Sequence, residues 1–427
     1  MKKFQMDKLA RSSLFVFALS MITNVLTYAY QIAMGNLMSP ADYGTINTML
    51  SLSTVISIPS GMITALAANL SARYQARQQS AALAAFARQL VRFAALFALL
   101  VLAVGALASP LAARLLQVDN THYIQVVVLI SAIGCITTAL SGVLQGMQRF
   151  AAYSAVNITS TTLRLLLGVA FALAGWRIGG ALGALTLAAV GATLYGAFAL
   201  RDVLRAPAEA GVRLDYHVIR NYFLRSFFFQ AFLLLMANGD VLLIKAFAAD
   251  PADAGIYSSG SVIGKIALYL SNSVVVVLLP LVAERSSKGG DTTPLFKKSL
   301  LLGGCTVLVC SVGIVTVGKP LINLFFGERY RQATDLLLPI AIYVVPVALL
   351  TILINYLMPL GRVRFFTLTM TAAYLVIFVV IGLWCREVDQ MLYVMGAALF
   401  AAFLANTAHI LLHPPQAVPS PEEEQPS

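Results

Sequence analysis

The sequence predicts an all-α integral membrane protein of about twelve transmembrane helices, and three observations carry that prediction. The chain of 427 residues is 59% hydrophobic and 11% charged, with a mean hydropathy of +0.83, which is more apolar side chain than a water-soluble core encloses. Apolar runs of about 20 residues, the length a hydrocarbon core requires, follow one another with short polar clusters between them. The runs are continuous and rich in Leu, Ala and Val, whereas a membrane β-barrel would show alternating segments of about ten residues.

In chain order the runs fall at 14–36, 46–70, 90–109, 124–146, 152–174, 178–200, 223–247, 256–282, 299–318, 333–358, 366–384 and 390–412. The first follows Lys2, Lys3, Lys8 and Arg11, a start that a signal peptide would share. The run is too long for one and eleven more follow, so it reads as an uncleaved first helix. Pro59, with Gly61 close behind, is expected to interrupt the second run, and Pro339 and Pro346 the tenth. The fifth and eleventh runs end at Trp176 and Trp384, beside Arg177 and Arg386, where an aromatic belt would lie.

A net charge of +11 in a soluble chain would point to nucleic acid, but in a membrane chain its distribution is what matters. With the N-terminus in the cytoplasm, 20 of the 29 Lys and Arg fall on the inner connections, 7 outside and 2 within helices. Both termini are therefore placed inside, and no nucleic-acid partner is expected. Cys135, Cys305, Cys310 and Cys385 lie in or at the ends of apolar runs without metal-ligand spacing or a disulfide pattern, and read as small hydrophobes.

An internal repeat organises the chain. Ser39-Pro40-Ala41-Asp42-Tyr43-Gly44 returns as Asp250-Pro251-Ala252-Asp253-Ala254-Gly255, 211 residues on. Gly146-Met147-Gln148-Arg149-Phe150 returns as Gly361-Arg362-Val363-Arg364-Phe365, 215 residues on. The offset spans six helices, so the halves share one orientation and their relating axis runs along the membrane normal. This gives an N-lobe at 1–206, a C-lobe at 207–412 and a Pro- and Glu-rich cytoplasmic tail at 413–427, expected to be disordered. In the repeated turn, Pro is expected to set φ, Asp to cap the next helix and Gly to relieve crowding. Between the lobes, Arg213, His217 and Arg220 recur at helical spacing beside Val218, Ile219, Tyr222 and Phe223. Either an amphipathic helix on the anionic inner leaflet or a solvated linker fits that pattern.

Ionisable residues at membrane depth are costly and point to function when a partner or cavity can be named. Arg164 lies mid-way along the fifth run, and Asp240 and Lys265 lie at similar depth on the seventh and eighth. Asp240 and Lys265 fit either a buried ion pair or part of a transport site. Arg164 has no acid at its depth in its own half and is assigned to a cavity. Two positive charges against one negative make such a cavity cationic, suited to anionic cargo such as phosphate groups. Asn24, Tyr28, Gln31, Asn69, Asn157, Gln230, Asn238, Tyr269, Asn272 and Asn355 could line it, or could hydrogen-bond helix to helix.

No catalytic constellation is present. Gly260-Ser261-Val262-Ile263-Gly264-Lys265-Ile266 lacks the spacing and the Ser or Thr of a phosphate-binding loop and lies in a membrane run. Neither paired carboxylates on an outer loop nor a His/Asp/Glu metal cluster appears. An enzyme is therefore not expected, nor a metal or cofactor.

The stretch Met38 to Arg73, the segment from Asp240 through Ala254-Gly255-Ile256-Tyr257-Ser258 to Leu279-Pro280, and Leu163-Arg164-Leu165-Leu166 resemble Wzx-type polysaccharide flippases. So do Lys319-Pro320-Leu321, Phe326-Gly327-Glu328-Arg329-Tyr330 and Leu360-Gly361-Arg362. These belong to the multidrug/oligosaccharidyl-lipid/polysaccharide (MOP) exporter superfamily. The resemblance implies two six-helix lobes around a cavity, as in the multidrug branch (MATE), and alternating access. It implies a cargo of oligosaccharide on undecaprenyl diphosphate, flipped from the cytoplasmic to the outer leaflet of a bacterial inner membrane for surface polysaccharide such as O-antigen or exopolysaccharide. Its implied partners are that lipid-linked oligosaccharide, membrane lipids, and a polysaccharide polymerase or chain-length machinery. Arg164 and Lys265 are the positions it assigns to the cargo, with Asp240, Asn24, Tyr28, Asn157 and Asn272 completing the cavity. The first helix carries only Asn24 where drug antiporters often hold an acid, and the several arginines of peptidoglycan-precursor flippases are absent from the first two helices. An exporter of drugs or other lipid anions with the same fold, and a non-transporting scaffold for polysaccharide assembly, are the alternative readings.

The topology is testable: alkaline phosphatase, active only outside the cytoplasm, should be inactive when fused after Leu412 and active when inserted after Asp119. The reverse pattern would overturn the placement of both termini.

Overall fold

In lipid a spanning segment must satisfy its own backbone, so helix is the form open to each apolar run. Every predicted run falls on helix in the computed structural model, which describes residues 2–207, 216–287 and 290–413. The helices are α1 (Lys2–Leu37), α2 (Pro40–Ile56), α3 (Ile58–Ala76), α4 (Ser80–Leu115), α5 (Thr121–Gly146), α6 (Phe150–Leu173) and α7 (Arg177–Ala199). After the short α8 (Arg201–Arg205) come α9 (Tyr216–Phe247), α10 (Asp253–Ser287), α11 (Thr293–Phe326), a 3₁₀ segment (Glu328–Thr334), α12 (Leu337–Leu357), α13 (Arg364–Trp384) and α14 (Val388–Leu412). Leaving out α8 and counting α2 with α3 as one span bent by 49° gives twelve spans. Among the described residues nine helices are long and apolar enough to cross a membrane, ten with the bent pair. The remaining two, α1 and α10, carry side chains outside the described residues at 2–17 and 271–277.

The surface is apolar where a soluble protein's would be polar. Leu99 and Leu107 on α4, Val309 and Leu324 on α11, and Leu368 and Leu375 on α13 all point outward. Such faces are stable only against hydrocarbon, and the chain is a multi-pass membrane protein. Trp176 and Trp384 are exposed at helix ends, as an interfacial belt requires.

Two compact units divide inside α9, Met1–Ala231 and Phe232–Ser427. In the first, α5 packs on α3, α4 and α7, α6 packs on α7, and α1 on α6. In the second, α12 packs on α10, α11 and α14, and α13 packs on α14. There α9 meets α13 through the ring pairs Phe232–Phe366, Phe232–Tyr374 and Phe247–Phe378. Counted by span, the neighbours are the same in both units: fourth against second, third and sixth, tenth against eighth, ninth and twelfth, first against fifth, seventh against eleventh. The sequence repeat therefore extends to helix packing.

The first of the repeated turns differs from expectation in which residue does the capping. Ser39, not Asp42, caps α2, its Oγ accepting from the Asp42 backbone N–H at 3.2 Å. In the second copy the Asp250 carboxylate accepts from the Ala252 N–H at 2.7 Å, within the turn that precedes α10. In the first copy the cap thus precedes Pro40, whose missing N–H is harmless in the first turn of α2, whereas Pro251 lies in the turn before α10. The second repeated glycine also serves two purposes. Gly361 takes a positive φ of 65°, which favours glycine, whereas a Cβ on Gly146 would lie 2.4 Å from the Ala68 carbonyl oxygen.

Small residues make that close approach possible along the whole α5 seam. Ser53 and Ser131 hydroxyls meet at 3.1 Å, Ser60 meets the Cys135 thiol at 3.1 Å, and Thr64 donates to the Thr138 carbonyl at 3.2 Å. Gly142 then faces Ala67 and Gly146 faces Ala68 and Ser71. This is small-residue packing of the kind that drives helix association in lipid, where no hydrophobic force operates. Cys135 is thus a hydrogen-bonding member of a seam and more than a small hydrophobe.

Pro59 breaks the second span as predicted, at Ser57. The tenth is uninterrupted: α12 runs through both prolines. Pro339 sits in its first turn, where no backbone donor is missed, and Pro346 is carried within a helix that neighbours enclose. At the end of the first unit, Arg149 binds the Asp202 carboxylate through both terminal nitrogens and the Ala199 carbonyl at 3.1 Å. That hydrogen bonding holds Asp202 below the usual carboxylate range. Residues 208–215, with Arg213, and the tail beyond His413 lie outside the described residues, as do the side chains of 216–226, those of His217 and Arg220 among them.

Gly146→Leu should therefore lower the melting temperature in detergent by several degrees or prevent folding, since overpacking costs about 1–3 kcal/mol. Gly134→Leu on the same helix, where a Cβ meets nothing within 4 Å, should leave it within about 2 °C. Equal effects would contradict the seam.

Candidate functional site

Each unit holds deep charge, and each handles it differently. On α6, Arg164 places its guanidinium carbon 4.7 Å from the centroid of the Tyr30 ring on α1. Tyr30 is fully buried. Its ring reaches α6 because Gly168, one turn beyond Arg164, lacks a side chain: a Cβ there would lie 2.9 Å from Tyr30 Cε2. Arg164 Nε is buried with no hydrogen-bond partner, as is the Tyr30 hydroxyl, and among the described residues Arg164 has neither hydrogen bond nor ion pair. A cation over a desolvated aromatic face gains about 1–2 kcal/mol, while an arginine at mid-helix in a bilayer costs about 3 kcal/mol. The ring alone does not offset the charge.

In the second unit the charges meet. Asp240 on α9 is buried, and three residues of α10 at four-residue steps aim at its Oδ2. Tyr257 donates its hydroxyl at 2.5 Å, Ser261 at 3.5 Å, and Lys265 Nζ stands at 3.8 Å. Residues four apart share a helix face, so α10 presents one polar stripe. Asp240 Oδ1 has no donor among the described residues. Gly260 and Gly264, next to Ser261 and Lys265, seat α10 on Ile340 of α12, where Cβ atoms would lie 2.7 and 2.5 Å from its side chain. The glycine–lysine segment that resembles a phosphate loop is thus a helix-packing device. Tyr343 donates to the Met236 carbonyl at 3.2 Å, and Tyr374 lies beside Gly239, so phenols close the far side.

The other predicted positions are scattered. Asn24 and Asn157 are exposed on α1 and α6, and Tyr28 is half-buried on α1. Asn157, Asn238 and Asn355 each donate to the carbonyl four residues back in their own helix, at 3.3, 3.3 and 2.8 Å, which removes them as helix-to-helix bonds. Gln31 accepts from the Tyr43 hydroxyl at 3.2 Å, and Gln230 lies against Gly61 beside the α2–α3 break. Asn69 and Tyr269 are exposed. The side chain of Asn272 lies outside the described residues. Sequence reasoning missed Tyr30, Tyr257 and Ser261, although the four-residue steps from Tyr257 to Lys265 were visible. Lys245, near the end of α9, is buried and donates to the Pro251 carbonyl at 3.5 Å, bracing the α9–α10 turn.

A profile of the family described as polysaccharide biosynthesis protein matches residues 9–286. No curated protein sequence matches the chain. Among solved structures, an inward-facing multidrug resistance MATE family transporter of the MOP superfamily is similar over 91% of this chain and 95% of its own, with TM-score 0.73 and 12% identity. The lipid II flippase MurJ in an inward closed conformation is similar over 93% and 87%, with TM-score 0.68 and 12% identity. A MOP superfamily transporter from Pyrococcus furiosus, whose reverse-polarity binding pocket is taken to indicate a different function, is similar over 94% of both chains, with TM-score 0.62 and 13% identity. At these identities the shared property is the fold.

The geometry makes Tyr30→Phe thermally neutral within about 1 kcal/mol, because the hydroxyl makes no bond and the ring face is kept. Tyr30→Leu should cost about 2 kcal/mol. Thermal melts of the purified protein decide, and a destabilised phenylalanine variant would show that the hydroxyl, not the ring, holds Arg164.

Proposed function

Since the chain belongs to the polysaccharide biosynthesis protein family, we propose that it flips a lipid-linked oligosaccharide, carried on undecaprenyl diphosphate, from the cytoplasmic to the outer leaflet of a bacterial inner membrane. The observation that carries this reading is Arg164: a guanidinium at membrane depth, propped on Tyr30 and left without a counter-charge among the described residues. A fixed planar cation of this kind suits a diphosphate, whose oxygens it can engage in pairs. Lys265 adds a second cation on a flexible stem. In this mechanism the two residues draw the diphosphate out of the headgroup region, the isoprenoid tail remains in the bilayer, and alternating access of the two lobes releases the headgroup on the far side. Cargo drives that exchange only by binding the two states unequally. The chain acts by moving its cargo, with both termini in the cytoplasm, in company with the polymerase and chain-length proteins of surface polysaccharide assembly.

Proteoliposomes containing a fluorescent undecaprenyl-diphosphate oligosaccharide test the reading. Wild type should translocate it, Arg164→Ala and Lys265→Ala at matched folding should lose at least about tenfold in rate, roughly one charge-assisted contact, and Arg164→Lys should lose less than Arg164→Ala. Wild type that leaves several such glycolipids in place yet exports a cationic dye would replace this reading with that of a drug exporter of the same fold.

A further inference from the structure

Asp240 is already held without Lys265. Tyr257 and Ser261 donate to the same Oδ2 that Lys265 faces, at 2.5 and 3.5 Å, while Lys265 stands off at 3.8 Å. The two ends of the pair also differ in access: the Asp240 side chain is 1% exposed and that of Lys265 22%. The backbone carrying all three donors is pinned by Gly260 and Gly264 against α12, so the lysine's four-carbon stem is the part of the cluster free to move. A structural ion pair would place the lysine at hydrogen-bonding distance and engage both carboxylate oxygens. Here the contact is long, Oδ1 is left without a donor among the described residues, and the carboxylate keeps two donors if the lysine leaves.

We propose that Asp240 is an internal competitor for the anionic cargo: it parks Lys265 while the site is empty and surrenders it to an arriving phosphate group. The proposal rests on the reading that the cargo is a diphosphate-bearing lipid, and it assigns Asp240 a positioning role without contact to that cargo. The exchange conserves charge. Lys265 leaves one anion for another, and Asp240 remains on the hydroxyls of Tyr257 and Ser261. A resident carboxylate weakens the lysine's hold on phosphate and so prevents a deep cationic site from retaining its cargo or any passing anion. Tyr257 sets the strength of that competition, because a hydroxyl that shares the carboxylate's charge loosens its grip on Lys265.

The full-length protein in lipid nanodiscs, titrated with inorganic pyrophosphate by calorimetry, tests this with variants of opposite sign. Asp240→Asn should tighten binding by about tenfold and Tyr257→Phe should weaken it by about threefold, with Lys265→Ala abolishing both differences. A purely structural role for Asp240 would weaken binding in both variants. Asp240→Asn binding no tighter than wild type overturns the proposal, and if that variant does not fold, unchanged or tighter binding by Tyr257→Phe overturns it equally. Absence of pyrophosphate binding in wild type and Asp240→Asn, with normal glycolipid translocation by wild type, sinks the exchange alone. The same absence without translocation removes the flippase reading on which it rests.

Discussion

A charge inside hydrocarbon has to be compensated by the protein that carries it, and much of this molecule's local architecture answers that constraint. In the second unit the answer is a counter-charge: the polar stripe of α10 is turned onto Asp240, and the phenols of Tyr343 and Tyr374 enclose it. In the first unit no acid among the described residues meets Arg164, and the answer is an aromatic face brought within reach by a glycine. The contrast gives the two units different chemical characters on one packing plan. One holds a balanced pair, and the other holds a cation whose remaining demand a ligand could meet.

Both answers depend on small residues. The Tyr30 ring reaches Arg164 only because Gly168 has no side chain, and α10 keeps its stripe on Asp240 because Gly260 and Gly264 let it lie close to α12. Along α5, serine, threonine, cysteine and glycine form a seam of hydrogen bonds and missing Cβ atoms beside Leu140, Val143 and Leu144. In water such a seam would be weak beside a leucine core. In lipid, where leucine gains little by leaving one hydrocarbon for another, close packing and internal hydrogen bonds are what hold helices together.

This also explains what could be read from the sequence. The spans, their number and the repeat were legible because run length and charge placement are properties of the chain itself. Run length and position also set Arg164, Asp240 and Lys265 within apolar runs, and the similar positions of Asp240 and Lys265 on consecutive runs made their meeting one of two readings. The aromatic support was not legible, because Tyr30 lies 134 positions before Arg164 and only packing joins α1 to α6. Proline misled in the tenth span: Pro339 falls in the first turn of α12 and Pro346 is enclosed by neighbours, and neither setting shows in the local sequence. The amides misled for another reason. Asn157, Asn238 and Asn355 look like groups in need of a partner, yet each finds one a turn back in its own helix.

A cation held ready for a diphosphate is the centre of this account, and solid-state NMR can observe that contact directly. With ¹⁵N-arginine-labelled protein in bilayers and the undecaprenyl-diphosphate oligosaccharide bound, the account predicts ³¹P–¹⁵N dipolar dephasing at contact distance that disappears in Arg164→Lys. Dephasing that is absent, or that persists unchanged in Arg164→Lys, would contradict it.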